Sequence, residues 1–403
     1  MAQEFRLNNN NYLIINSGSS SVKFSLYVAD HVEATLTGIA ERLSTEQTKM
    51  SWTFENNKRE LELAGADHRE VLHNLFNILS KLNLFKSLTA IGHRIVHGGE
   101  YFKSSALITP NVLTKIEACS ALAPLHNPAA VTGIQAVLEQ LPDIPQVAVF
   151  DTAFHQTMPE HAFLYGLPYE LYESQGIRKY GFHGTSHQYV ANQAITKLGL
   201  DKNNSGLITA HLGNGCSICA VQNGASIDTS MGFTPLEGVM MGTRSGDIDP
   251  SIHQFLANKL NLPLAEITNI LNKRSGLLGL SGSSNDMRTL SAKANEGDKQ
   301  AALAIEVFAY RLAKSIAGMV AGLSRLDALV FTGGIGENSF LVRAKVLSHL
   351  TVLGFELDPE LNNQGGDNLG LITKANSRRA TIIHTQEEWV IAQDTIRLTQ
   401  TEA

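Results

Sequence analysis

Three turns in this sequence are made of residues that let a backbone close around a small anion. The first holds Asn16, Ser17, Ser19, Ser20, Ser21 and Lys23, the second His211, Gly213, Asn214 and Gly215, and the third is TGGIGEN with Gly333, Gly334 and Gly336. Gly, Ser and Asn admit close backbone approach, so several N–H groups and hydroxyls can converge on one phosphate. Either of the first two also reads as an ordinary hairpin turn. The third follows an apolar strand and leads toward a helix, whose N-terminus adds partial positive charge. Together they point to a nucleotide or phosphate site. Known nucleotide motifs narrow the class: the chain has no G-x-x-x-x-G-K-[ST], no H-R-D and no D-F-G, and neither Gly213 nor Gly334 opens a complete G-x-G-x-x-G.

Arg94 ends a strand after Gly92 and His93, Asp151 ends QVAVFD, and Arg244 lies in MGTRSGDIDP. Carboxyl ends of strands are where open α/β sheets bind ligands. Asp151 reads as a helix N-cap or a catalytic acid, and the arginines as structural ion pairs or anion ligands. Guanidinium forks in glycine-rich loops suit a carboxylate or phosphate. His93 with His97, and His183 with His187, are i, i+4 pairs, but neither is H-E-x-x-H and the first spans a strand end, so zinc is not expected. Cys216 and Cys219 point to opposite faces of a strand and read as packing residues. Val96, Leu125, Phe182 and Pro235 read as core unless they share a pocket.

Apolar periodicity supplies the elements that must hold these groups. Residues 11–28 and 206–224 are hairpins of one design about half a chain apart, which predicts duplicated halves. Helical spacing over 68–82, 131–141, 306–323, 339–350 and from Glu387 to about Arg397 alternates with strands at 88–96, 146–151, 328–334 and 380–385. Alternation of this kind means α/β layers. The expected boundary makes 1–150 one domain, completed by the terminal helix 386–403, and 151–385 the other.

The 403 residues are 43% hydrophobic and 17% charged with a net charge of -6, which excludes a disordered chain, a disulfide miniprotein and a nucleic-acid-binding basic surface. Three cysteines predict a reducing, cytoplasmic setting. MAQEFRLNNNN has no signal-peptide pattern, and Lys314 and Arg325 bracket the most apolar helical stretch, so no membrane span is expected. Asn8 to Asn11 read as a solvated tail.

The segments LIINSGSSSVKFSLY, HRIVHGG, VFDTAFH, YGFHGTSH, HLGNGCSI, MGTRSGDIDP, SGSSNDMR, FTGGIGENS and TQEEWVIA, in this order, resemble the acetate kinase family from about residue 12 to 395. The resemblance implies two duplicated actin-like (ribonuclease H-like) α/β domains with an interdomain active-site cleft. It implies reversible transfer of the ATP γ-phosphoryl group to acetate, giving acetyl phosphate and ADP, with Mg2+ as cofactor and Mn2+ able to substitute. By motif, Asn16 and Glu387 match the magnesium pair, with Glu388 adjacent. Lys23, His211, Leu212, Gly213, Asn214, Gly215, Asp286, Met287, Arg288, Gly333, Gly334, Ile335, Gly336 and Glu337 match ATP-contacting segments. Arg94 matches the acetate-carboxylate contact, Asp151 the active-site acid, and His183 and Arg244 the stabilisers of the transition state. Val96, Leu125, Phe182 and Pro235 match the pocket for the acetate methyl. A homodimer is implied as well. Propionate kinase is the nearest alternative. A non-catalytic nucleotide switch is a second, against which stand the absence of room for a peptide-binding domain and the paired arginines.

Overall fold

The apolar run Tyr12–Ile15 forms the heart of β1 (Asn11–Ser17), which turns at Gly18 into β2 (Ser21–Val28) through a 2.7 Å bond from Gly18 N–H to Ser21 O. The structure is a computed structural model and describes residues 10–29, 31–124 and 126–400. Asn8, Asn9 and Leu125 lie outside them. Antiparallel pairing continues through β3 (Leu36–Glu41), β4 (Lys49–Phe54) and β5 (Asn57–Glu62). On the other side of β1 run β6 (Leu88–Ile95) and β8 (Gln146–Phe150), both in parallel, with β7 (Ala106–Leu107) antiparallel at the edge. The eight-stranded order is β5-β4-β3-β2-β1-β6-β8-β7.

The second sheet repeats the scheme. β11 (Ala225–Thr229), β10 (Cys216–Gln222) and β9 (Gly206–Leu212) are antiparallel, and β12 (Ala328–Thr332) and β13 (Arg379–Ile382) continue in parallel from β9, in the order β11-β10-β9-β12-β13. Its order and strand senses are those of β3-β2-β1-β6-β8, so the halves are copies of one topology.

Contacts divide the chain into one unit that runs up to Ala153 and resumes at Gln386, and a second from Phe154 to Thr385. Asp151 therefore belongs to the first unit. Its core packs the helix His68–Lys81 onto the sheet through Val71, Leu72, Leu75, Phe76 and Leu79, each worth roughly 1.5–3 kcal/mol of transfer free energy. Asp67 and Glu70 close a capping box that fixes where this helix starts. The last helix, Glu387–Gln400, packs on β1, β6 and β8. It approaches β6 so closely that a Cβ on Gly92 would stand 2.3 Å from Thr395 Oγ1, and Trp389 lies with its ring centroid 5.5 Å from that of Tyr27.

One local expectation changes and another gains detail. Asn11 is not solvated tail: it opens β1, is buried, and donates to Leu84 O and Ser87 Oγ. The TGGIGEN glycines do lead from β12 into a helix, Phe340–Ser348, and they themselves wind into a short helical segment, Gly333–Asn338, starting at the first glycine. Gly333 has φ +76° and its α-carbon faces the Leu212 backbone, where a Cβ would meet Leu212 O at 2.8 Å. Only glycine meets both demands.

Candidate active site

In the first unit, β1, β2, β6, β8 and the last helix deliver one set of groups. Asn16 and Lys23 are paired across the β1–β2 hairpin. They line a cavity of about 140 Å³ with Ile14, Arg94, Glu387, Glu388 and Ile391. Arg94, on β6, donates from Nε and Nη2 to the two oxygens of Asp151 at 3.0 and 2.7 Å, and its Nη2 lies 3.7 Å from Glu387. Asp151 follows β8 and is 1% exposed. Burial raises its carboxyl above the usual range while the guanidinium pulls the other way. The Arg94 charge is in turn reinforced by Asp151. An amide oxygen and carboxylates opening on a small cavity are the hard oxygen donors that Mg2+ takes beside water and substrate phosphates, so Asn16, Glu387 and Glu388 fit the ion.

The second unit holds the other groups. His183 sits at the start of the helix Gly184–Lys197 with φ +56°, a left-handed conformation that a non-glycine residue keeps only where its surroundings impose it. Its ring stacks on His211, centroids 4.3 Å apart. The Gly215 α-carbon serves as a ruler: a Cβ there would lie 3.4 Å from Arg244 Nη1 and 3.5 Å from His183 Nε2. The two side chains thus converge on the β9–β10 turn. Arg244 is anchored by donation from Nη1 to Pro235 O at 3.2 Å, and burial lowers its pKa by disfavouring the charged form, a cost that a neighbouring anion would offset.

Beside that turn lies a cavity of about 870 Å³ lined by Gly213, Asn214, Asp286, Met287, Arg288, Gly334 and Ile335, all expected, and by Asn285, Ser291, Asn295, Asn338, Ser339, Phe340 and Leu341, which were not. Phe340 is 55% exposed, a large apolar surface facing a polar rim. Asp286 caps the helix Met287–Asn295 and pairs with Arg288 at 2.6 Å, which holds its carboxyl down at about 2.

Several residues of the expected nucleotide set do not line this cavity. Lys23 lines the first unit's cavity with Asn16 and Glu387. His211 and Leu212 are buried in β9, with His211 Nδ1 2.8 Å from Ser186 Oγ. Glu337 faces the protein: it accepts from Gly333 N–H at 2.9 Å and Thr385 N–H at 3.0 Å and lies 2.8 Å from His384 Nδ1. That makes it a brace behind the Gly333 turn. Gly333 and Gly336 are likewise buried behind it. Of the methyl-pocket set, Val96 is half-buried after β6 in the first unit, Phe182 is 2% exposed and Pro235 half-buried in the second, and Leu125 lies outside the described residues. Cys216 and Cys219 are buried free thiols, pushed up to about 12 by burial, which suits packing.

A model of the Acetokinase family matches residues 11–393. A curated acetate kinase from Chromobacterium violaceum is 50% identical over 391 residues, covering 97% of this chain and 98% of that protein. Another from Ectopseudomonas mendocina is 51% identical over 389 residues, with 96% and 98% covered. Among solved structures, a propionate kinase from Francisella tularensis is 48% identical with TM-score 0.92, covering 96% of this chain and all of that one. A Porphyromonas gingivalis acetate kinase is 41% identical with TM-score 0.92, covering 96% and 99%.

Proposed function

The chain belongs to the Acetokinase family, and from that premise we propose that it transfers the ATP γ-phosphoryl group reversibly to acetate, giving acetyl phosphate and ADP. The observation that carries the reading is the convergence of His183 and Arg244 on the glycine turn beside the 870 Å³ cavity. Acetate, with a pKa near that of Glu (about 4.3), is already ionised at neutral pH, so its oxygen attacks without a general base. Arg94 orients the carboxylate, and its bond to Asp151 fixes the plane of the guanidinium. Charge on the equatorial oxygens of the moving phosphoryl group is met by His183 and Arg244 in direct, in-line transfer. Asn16 and Glu387 would hold Mg2+, which when bound neutralises phosphate charge. Asp151, bonded through both oxygens to Arg94, helps to position Mg2+ and its waters through its negative charge rather than removing a proton. A non-catalytic switch would need neither the anion-directed Arg94 nor Arg244.

Acetate is favoured over propionate because the family relatives named above at 50% and 51% identity are acetate kinases. One methylene changes binding in an apolar pocket by about 1–3 kcal/mol, so propionate should react about 10- to 200-fold more slowly and butyrate scarcely at all. A hydroxylamine trap with MgATP and the three acids reads this directly. Equal rates with propionate would replace the acetate reading by the propionate one.

We place the enzyme in the cytoplasm as a homodimer. Supporting the dimer, Ile252, Phe255, Leu260 and Leu264 lie exposed on the neighbouring helices Ser251–Leu260 and Leu264–Lys273, with Phe255 at 63%. Phe255→Glu should shift the chain to monomer in sedimentation equilibrium; a wild-type monomer at micromolar concentration removes the proposal.

A further inference from the structure

Ser217 lies on β10 and is fully buried. Its Oγ is 2.9 Å from His183 Nδ1 and 2.7 Å from His187 Nε2, and His187 Nδ1 is 2.7 Å from Thr209 Oγ1 on β9. Ser217 stands within the HLGNGCSI segment, but neither it nor Thr209 was assigned a role from the sequence. Burial, with His155 and His211 nearby, holds the His187 pKa well below its ordinary value, so that ring carries one proton. A hydroxyl has one proton and two lone pairs, so Ser217 can donate to only one of the two imidazoles, and a ring it does not donate to must present an N–H to it.

Two directions are open to such a relay. In one, Ser217 accepts from His183 Nδ1–H, and the neutral ring turns a lone pair at Nε2 toward Gly215 and Arg244. In the other, Thr209 donates to His187, His187 Nε2–H donates to Ser217, and Ser217 donates to His183 Nδ1. Nε2 then carries the proton. Phosphoryl oxygens are acceptors, and a donor is what stabilises charge growing on them.

We propose that Ser217 is a positioning residue for phosphoryl transfer: the relay Thr209, His187, Ser217 fixes the Nε2–H tautomer of His183 and aims that N–H at the moving group. The proposal rests on the kinase reading for its consequence, but the tautomer itself is a property of the resting protein. Among the described residues, the charged and titratable groups around His183 include His187 across Ser217, His211 stacked on the ring, and Arg244 beyond Gly215, with His155 behind His187.

The test uses the full chain labelled with 15N-histidine, in which long-range 1H–15N spectra report which ring nitrogen bears the proton, together with kcat as a function of pH. Wild type should show His183 protonated at Nε2. Ser217→Ala should give mixed tautomers and lower kcat about 10- to 100-fold, the range for losing an outer partner of a functional imidazole. KM for ATP and acetate should stay within about threefold, because ground-state binding is not what the relay serves. Its activity should recover as pH falls, since imidazolium carries both protons whatever the relay. Thr209→Val, nearly isosteric, should act in the same direction and decides the matter if Ser217→Ala does not fold. An Nδ1–H tautomer in wild type, an unchanged kcat in both variants, or a loss accompanied by a parallel rise in KM and no pH recovery would overturn the proposal. An Nε2–H tautomer in a wild-type protein that makes no acyl phosphate would leave the relay intact and sink the kinase reading instead.

Discussion

Arg244→Ala is expected to lower kcat about 10²- to 10³-fold while leaving the acetate KM within a few-fold of wild type. Losing one preorganised donor from an oxyanion-type site costs about 2.7–4 kcal/mol of transition-state stabilisation. The structure gives Arg244 the features such a donor needs. Its Nη1 is anchored on Pro235 O, it stands beside the β9–β10 turn next to His183, and burial lowers its pKa, so its charge is held in a setting that amplifies it. Steady-state kinetics separates the possibilities. A rise in acetate KM with kcat unchanged would move Arg244 from the transition state to ground-state binding.

Asp151→Asn is expected to have the second large effect, expressed through magnesium and stability rather than through a proton. Both carboxylate oxygens are taken by Arg94 and the group is 1% exposed. Asparagine keeps one acceptor and removes the charge, leaving a mostly buried guanidinium short of its partner, which costs about 3–5 kcal/mol in comparable buried pairs. The Mg2+ concentration for half-maximal rate should rise about tenfold, the weight of about 1.4 kcal/mol of lost electrostatic support. The sign of the pH dependence follows from the raised carboxyl pKa. Wild-type activity should fall as pH drops through that raised value, because protonation removes the charge, and the variant should lack that limb. Near-wild-type magnesium dependence together with a new acidic limb in Asp151→Asn would contradict this role.

What the sequence made legible follows from what is local in it. The two hairpins, the alternating strands and helices after them and the return of the Glu387–Gln400 helix to the first sheet were readable because period-2 and period-3.6 apolar patterns are written in consecutive residues. The residues around Gly213, Asp286 and Gly334 were readable because motif order is local too. The remainder depends on groups far apart in the chain. Ser217 looks like any polar residue in a strand, and only the pairing of β10 with β9 and the start of the Gly184–Lys197 helix gives its hydroxyl two imidazoles. Glu337 lies in a glycine segment that suggests ligand contact, while one of its oxygens accepts from two backbone N–H groups, one of them 48 residues on, and the other faces His384 Nδ1. Asn11 reads as tail because three asparagines precede it, while its side chain is spent on Leu84 O and Ser87 Oγ. Lys23 carries a phosphate-loop signature in its spacing, and strand pairing sets it beside Asn16 at one cavity, a neighbourhood that spacing alone does not give.

The most direct test of the central claim, that phosphoryl passes from ATP to acetate, is to count ADP and acyl hydroxamate in the same hydroxylamine trap. One hydroxamate for each ADP, both dependent on acetate and Mg2+, is the predicted result. ADP released without hydroxamate, at a rate indifferent to acetate, would show transfer to water and contradict the account.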